Sequence, residues 1–184
     1  MTVHLALLRG MNVGGKNRIS MSGLRTLFES LGFPGAQSLL QSGNVVFTSA
    51  GRTGAGIERL LEAETERRFK IRTHYFVCTS DEWKQLVAAN PFRDEAKDDP
   101  GHLLVLFLKN APDKKSVAAL RGAIRGPETV HAEGRQAYII YPAGIGRSKL
   151  TISLIENRLG SYGTGRNWNI VLKLPALSTA ITDS

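Results

Sequence analysis

Residues 37–48 read QSLLQSGNVVFT. Two short runs, 37–41 and 45–48, flank Ser42-Gly43-Asn44, a turn-type sequence between strand-type segments. That pattern is an antiparallel hairpin. Working outward from it, residues 3–8 form an apolar strand, and residues 9–19 a loop rich in glycine and cations. Ser20 then caps a helix whose Leu24, Leu27, Phe28 and Leu31 recur at helical spacing, with Gly32 as its stop. After the hairpin, residues 57–69 read as a helix with Ile57, Leu60 and Leu61 on one side, and with Glu64 four residues before Arg68. Residues 72–78 close the series as a strand. The order is β-α-β-β-α-β.

The chain continues with a helix opened by a capping box, Thr79 and Glu82, and ended by Asn90-Pro91. Residues 91–101, polar and holding two prolines, read as a linker. The order then recurs more loosely. Residues 102–108 are a strand. Residues 112–121 are a helix with proline in its first turn. Residues 128–131 and 136–141 form a hairpin around Glu133-Gly134-Arg135, and residues 149–159 a helix stopped by Gly160. Within 164–177 the pattern fits either a helix over 167–177 or a strand over 170–174. The expected division is a first α+β subdomain over 1–90 with an extra helix at its end, and a second over 102–184. Together they would make one compact unit of two split β-α-β copies. No residue-level identity links the halves; the duplication rests on element order.

The 184 residues are 42% hydrophobic and 22% charged, ordinary values for a globular chain. The single cysteine, Cys78, excludes an internal disulfide framework and a four-cysteine zinc site. No apolar run approaches a membrane span, and the first ten residues lack the basic start and cleavage site of a signal peptide. A cytoplasmic protein with no membrane partner is expected. The net charge of +8 is uneven, with 13 basic and 11 acidic residues over 1–100 but 11 and 5 over 101–184. Such a balance favours anionic partners, although a magnitude of about 2–8 is also ordinary for a small soluble domain.

Four segments carry binding chemistry. Gly10-Met-Asn12-Val-Gly14-Gly15-Lys16-Asn17 spells G-x-x-x-x-G-K between a strand and a helix. Asn17 stands where a Walker loop needs Ser or Thr, and the helix begins about four residues beyond Lys16, so a nucleotide triphosphatase is excluded. A looser phosphate cradle, with Arg9, Lys16 and Arg18 as cations, remains beside the plain reading of a solvated turn. In the second segment, Tyr141 to Lys149, Gly144 and Gly146 precede a helix start at which Arg147, Ser148 and Lys149 would receive an anion; alternatively Ser148 is only the cap. The third, Thr164-Gly-Arg166-Asn167-Trp168-Asn169, has the groups to stack on a base and hydrogen-bond it; alternatively Trp168 is core and Asn167 a cap. The fourth is the turn Gln41-Ser42-Gly43-Asn44, whose amides fix either a ligand or the turn itself.

Other chemistry is poorly provided for. His4, His74, His102 and His131 stand 70, 28 and 29 residues apart, without metal-ligand spacing. Cys78 lacks a cationic neighbourhood, and Ser42 is not in G-x-S-x-G.

The stretches LLRGMNVGGKNRISMSGLRTLFESLGF, LQSGNVVF, NPF, GRSKLTISLIENRLG and TGRNWNIVLKL, taken in order, resemble a bacterial family known as domain of unknown function 1697. The resemblance runs from about residue 3 to 177. It implies two ferredoxin-like α+β subdomains with mainly antiparallel sheets, and so makes the near-Walker spelling a coincidence. The family's motif positions fall on Arg9, Gly10, Asn12, Gly14, Gly15, Lys16, Asn17, Gln41, Ser42, Gly43, Asn44, Arg147, Ser148, Lys149, Thr164, Arg166, Asn167, Trp168 and Asn169. Met11, Ser20 and Ile170 depart from its commoner residues without removing a charged or amide group. The resemblance brings no activity with it.

The expectation is a binder of a small phosphorylated ligand in a cleft lined by the basic glycine loops, with no cofactor. One alternative is a single-stranded nucleic-acid module, to which Phe47 in one strand and two aromatics in 138–141 offer themselves. The other is a structural protein whose motif cations pair internally.

Overall fold

A computed structural model describes residues 1–10, 18–39 and 43–182. The chain divides into two compact units, Met1–Gln85 with Lys173–Ser184, and Leu86–Leu172. The expected second subdomain, 102–184, therefore differs in its last twelve residues, which group with the first unit.

Unit 1 contains β1 (Thr2–Leu8), α1 (Met21–Ser30), β2 (Gln37–Leu39), β3 (Asn44–Ser49), α2 (Gly54–Phe69), β4 (Tyr75–Thr79) and most of α3 (Ser80–Ala88). Its sheet has the order β2-β3-β1-β4, antiparallel throughout. Helix α1 starts where Ser20 accepts a hydrogen bond from Gly23 N, and it buries Leu24, Leu27 and Phe28. These pack with Ala6, Leu8, Val45, Phe47, Ile57, Leu61, Tyr75 and Val77 in one core. Phe28 meets Phe47 edge-on at 5.0 Å between ring centres, a favoured aromatic arrangement. The expected capping box on α3 is present: Glu82 N donates to Thr79 Oγ1 at 3.1 Å and Thr79 N to Glu82 Oε2 at 2.7 Å.

Unit 2 repeats the plan with α4 (Arg93–Asp98), β5 (Leu103–Leu108), α5 (Lys114–Ala123), β6 (Thr129–Glu133), β7 (Gln136–Ile140), α6 (Ile152–Leu159) and β8 (Gly163–Asn167). The order β6-β7-β5-β8, again antiparallel, matches that of unit 1 strand for strand. Leu106, Leu108, Leu120, Ile139, Ile155 and Leu159 share its core. Residues 91–101, expected as a linker, hold α4 and most of a 3-10 turn, Pro100–His102. Helix α7 (Trp168–Thr182) carries residues of both units.

Two starts differ from expectation. Helix α5 begins at Lys114, two residues later than expected, because Asp113 is its cap and accepts from Ser116 N at 2.6 Å. Helix α6 begins at Ile152, three residues later than expected, because Thr151 is its cap and accepts from Leu154 N at 3.2 Å. The undecided tail resolves into strand β8 followed by a helix.

Candidate functional site

In unit 1 the register of β1 gathers the edges of two motif segments. Leu7 lies opposite Asn44, and Leu8 N donates to Gly43 O at 2.9 Å. One residue on, Arg9 N donates to His74 O at 3.0 Å and Thr73 Oγ1 to Arg9 O at 2.8 Å. Arg9, Gly10, Gly43, Asn44 and His74 thus stand together at one end of the sheet. Gly10 (φ 68°) and Gly43 (φ 70°) adopt left-handed backbone, which suits glycine where the chain turns off a strand. Among the described residues, a side chain at Gly10 would meet nothing within 4 Å. Asn44 itself is fully buried, and its Nδ2 donates to Leu39 O at 3.3 Å. Its amide fixes the turn. Asn12, Gly14, Gly15, Lys16, Asn17, Gln41 and Ser42 lie outside the described residues.

In unit 2 the second glycine loop leaves β7 and returns through a short 3-10 turn, Ile145–Arg147. Ser148 is not the cap that the alternative reading made it. It donates to Glu128 Oε1, while its Oγ accepts from Leu150 N at 2.9 Å. Arg147 and Lys149 are exposed and precede the first turn of α6. They stand before the Thr151 cap and not in the first turn of the helix, where the sequence reading expected them.

The third segment is mostly inward. Arg166 faces Val105 across β8 and β5 and is 9% exposed. Its Nη1 donates to Thr164 Oγ1 and to Gly165 O, both at 2.8 Å. Burial lowers its pKa to about 10, still leaving it charged near neutrality. Gly165 is closely packed, since a Cβ there would come within 3.1 Å of Leu104. Trp168 is 4% exposed, and Asn167 Oδ1 accepts from Ile170 N at 3.1 Å. The plain readings, core aromatic and cap, describe both residues. Asn169 is exposed. The aromatics a nucleic-acid platform would need are also unavailable: Phe47, Tyr138 and Tyr141 are at most 2% exposed.

One pair escaped the sequence reading. Asp99 Oδ2 lies 2.6 Å from His102 Nδ1, and both side chains are well exposed. His102 O accepts from Tyr141 N at 2.9 Å, and Leu104, two residues on, pairs with Asn167. The pair therefore shares one end of the sheet with the 141–149 loop and the start of α7. The signal was present as D-P-G-H, an acid three residues before a histidine. A search for metal-ligand spacing passes over it. Among the described residues no group of three or more His, Cys, Asp or Glu could hold a metal ion, and no helix is long and apolar enough to cross a membrane.

Comparisons agree with the fold and name no chemistry. The conserved bacterial protein SP0830 from Streptococcus pneumoniae superposes with a TM-score of 0.74 at 22% identity, over 95% of this chain and 97% of that one. At that identity the likeness concerns the fold. No curated protein matches the chain. The model of the family described as protein of unknown function (DUF1697) matches residues 1–138, three quarters of the length. By that match the chain belongs to the DUF1697 family of proteins of unknown function.

Proposed function

We propose that the protein binds a small phosphorylated ligand at the β1 corner of unit 1, through Arg9, Asn12, Gly14, Gly15, Lys16 and Asn17 together with Gln41 and Ser42. The observation that carries this reading is the Leu8 N to Gly43 O hydrogen bond of 2.9 Å. It joins the starting point of the glycine- and cation-rich segment to the Gly43 turn. Two positions 35 residues apart in sequence, 8 and 43, are thereby joined at one corner. Cations, amides and glycine N–H groups suit phosphate oxygens, and any chemistry they perform is electrostatic stabilisation of an oxyanion.

A thermal-shift screen at fixed ionic strength tests it, using phosphate, pyrophosphate, nucleotides and phosphosugars. A ligand at 100 times its Kd adds about 2.7 kcal/mol, a rise of roughly 5–10 °C in a chain of this size. The expected result is such a rise with one class, abolished in Lys16→Ala while the unliganded Tm is unchanged. No rise with any class, or a lower unliganded Tm with an undiminished rise, overturns the reading in favour of a structural loop.

A further inference from the structure

We propose a second anion site, in unit 2, in which His102 Nε2 and the glycine loop ending at Arg147 receive a phosphate or phosphate monoester. Three observations on different groups converge there. Asp99 occupies the cap position of the 3-10 turn Pro100–His102, yet its side chain caps no backbone N–H. The carboxylate instead holds His102 Nδ1 at 2.6 Å. An imidazole that donates Nδ1–H to a carboxylate has its tautomer fixed, and Nε2 becomes the outward functional atom. With Nδ1–H given to Asp99, Nε2 carries the ring's lone pair and can accept from the O–H of a phosphate monoanion or monoester.

The loop passes over that atom with a glycine. A Cβ at Gly144 would stand 3.7 Å from Nε2 and cover that side of it. Gly144 also takes φ 81° and ψ 149°, backbone that glycine adopts freely. Among the described residues, Gly146 has nothing within 4 Å of where its Cβ would be, which leaves space beside the loop backbone.

Charge completes the argument. Arg147 and Lys149 are exposed, and neither pairs with a carboxylate among the described residues. Glu128, which contacts this loop, is engaged by Ser148. A guanidinium fork and an ammonium group suit the oxygens of a tetrahedral oxyanion, and Nε2 its O–H; the Gly144 N–H is itself given to Tyr141 O at 2.9 Å. The site lies in the other unit from the Lys16 segment and does not rest on that reading.

The test is an NMR titration with inorganic phosphate at constant ionic strength, following the Gly144 and Gly146 amides and the His102 ring nitrogens. Saturable shifts at these positions are expected. His102→Asn keeps an N–H where Nδ1 serves Asp99 but removes Nε2. It should weaken binding about tenfold, the effect of losing one hydrogen bond to a charged group. His102→Gln, whose amide can reach the Nε2 position, should retain most of the affinity, and Arg147→Ala should lose about as much as His102→Asn. Lys16→Ala should leave these shifts untouched, which separates the two sites. Absence of saturable shifts in the loop, or equal affinity in wild type and His102→Asn, overturns the proposal.

Discussion

His4 shows how one buried side chain sets a pH limit. It is 2% exposed, stacked on Phe47 at 5.4 Å, with Nε2 3.3 Å from Ser49 Oγ and no hydrogen bond at Nδ1. Burial lowers its pKa below 6.5, against a smaller opposing effect of Glu82. The unfolded chain therefore binds a proton at a higher pH than the folded one, and stability falls as pH drops below about 6.5. Denaturant melts between pH 7 and pH 5 should show this loss, and His4→Phe should flatten it. Ser148 and Thr151 supply a second test. Thr151→Ala should cost about 1 kcal/mol, the value of a helix cap, whereas Ser148→Ala should leave α6 helicity unchanged by circular dichroism. The sequence offers two hydroxyl caps three residues apart, and periodicity does not choose between them. The choice lies with Glu128, twenty residues away, which draws Ser148 off. Such a partner is invisible to a local reading. For the same reason the fates of Trp168 and Asn167 were left open until packing decided them.

At the scale of elements, both units solve the same problem in the same way. Strands β4 and β8 are sheet edges with outward N–H groups that would otherwise be left without partners or recruit a foreign strand. In unit 1, Glu58 Oε1 accepts from Val77 N at 2.8 Å, and Glu62 Oε1 from Tyr75 N at 3.0 Å. The spacing works because one turn of α2 advances nearly as far as two residues of strand. In unit 2, Glu156 on α6 accepts from Gly163 N at 2.8 Å. The opposite edge, β6, has its Val130 carbonyl covered by Arg121 Nε at 3.1 Å. Glu58 is 5% exposed, so Glu58→Ala leaves a buried N–H without that partner and should cost about 1–3 kcal/mol in urea melts. Helix and strand identity along β1 to α3 was legible, because apolar spacing and caps agree there. Strand β8 was not. Its Thr-Gly-Arg-Asn lacks strand-type alternation, and its glycines answer to Leu104 and Leu106 on the neighbouring strand.

At the scale of the whole molecule, element order alone foretold the duplication, and the strand orders of the two sheets agree with it. What order could not supply is the grouping of 173–184 with unit 1. Compositional breaks mark linkers, whereas a returning helix is recognised only by what it packs against. Leu174 is fully buried in that returning segment. Leu174→Ala should destabilise by about 2–5 kcal/mol, read as a fall in Tm. If the segment were a dispensable tail, the change would be negligible.

That discontinuity bears on how the chain is made. Synthesis usually lets the leading portion of a protein finish folding before the rest has emerged. Here unit 2 is continuous from Leu86 to Leu172, whereas unit 1 requires residues at both ends of the sequence. Unit 1 therefore closes only after a segment that follows the whole of unit 2 in the sequence has been made.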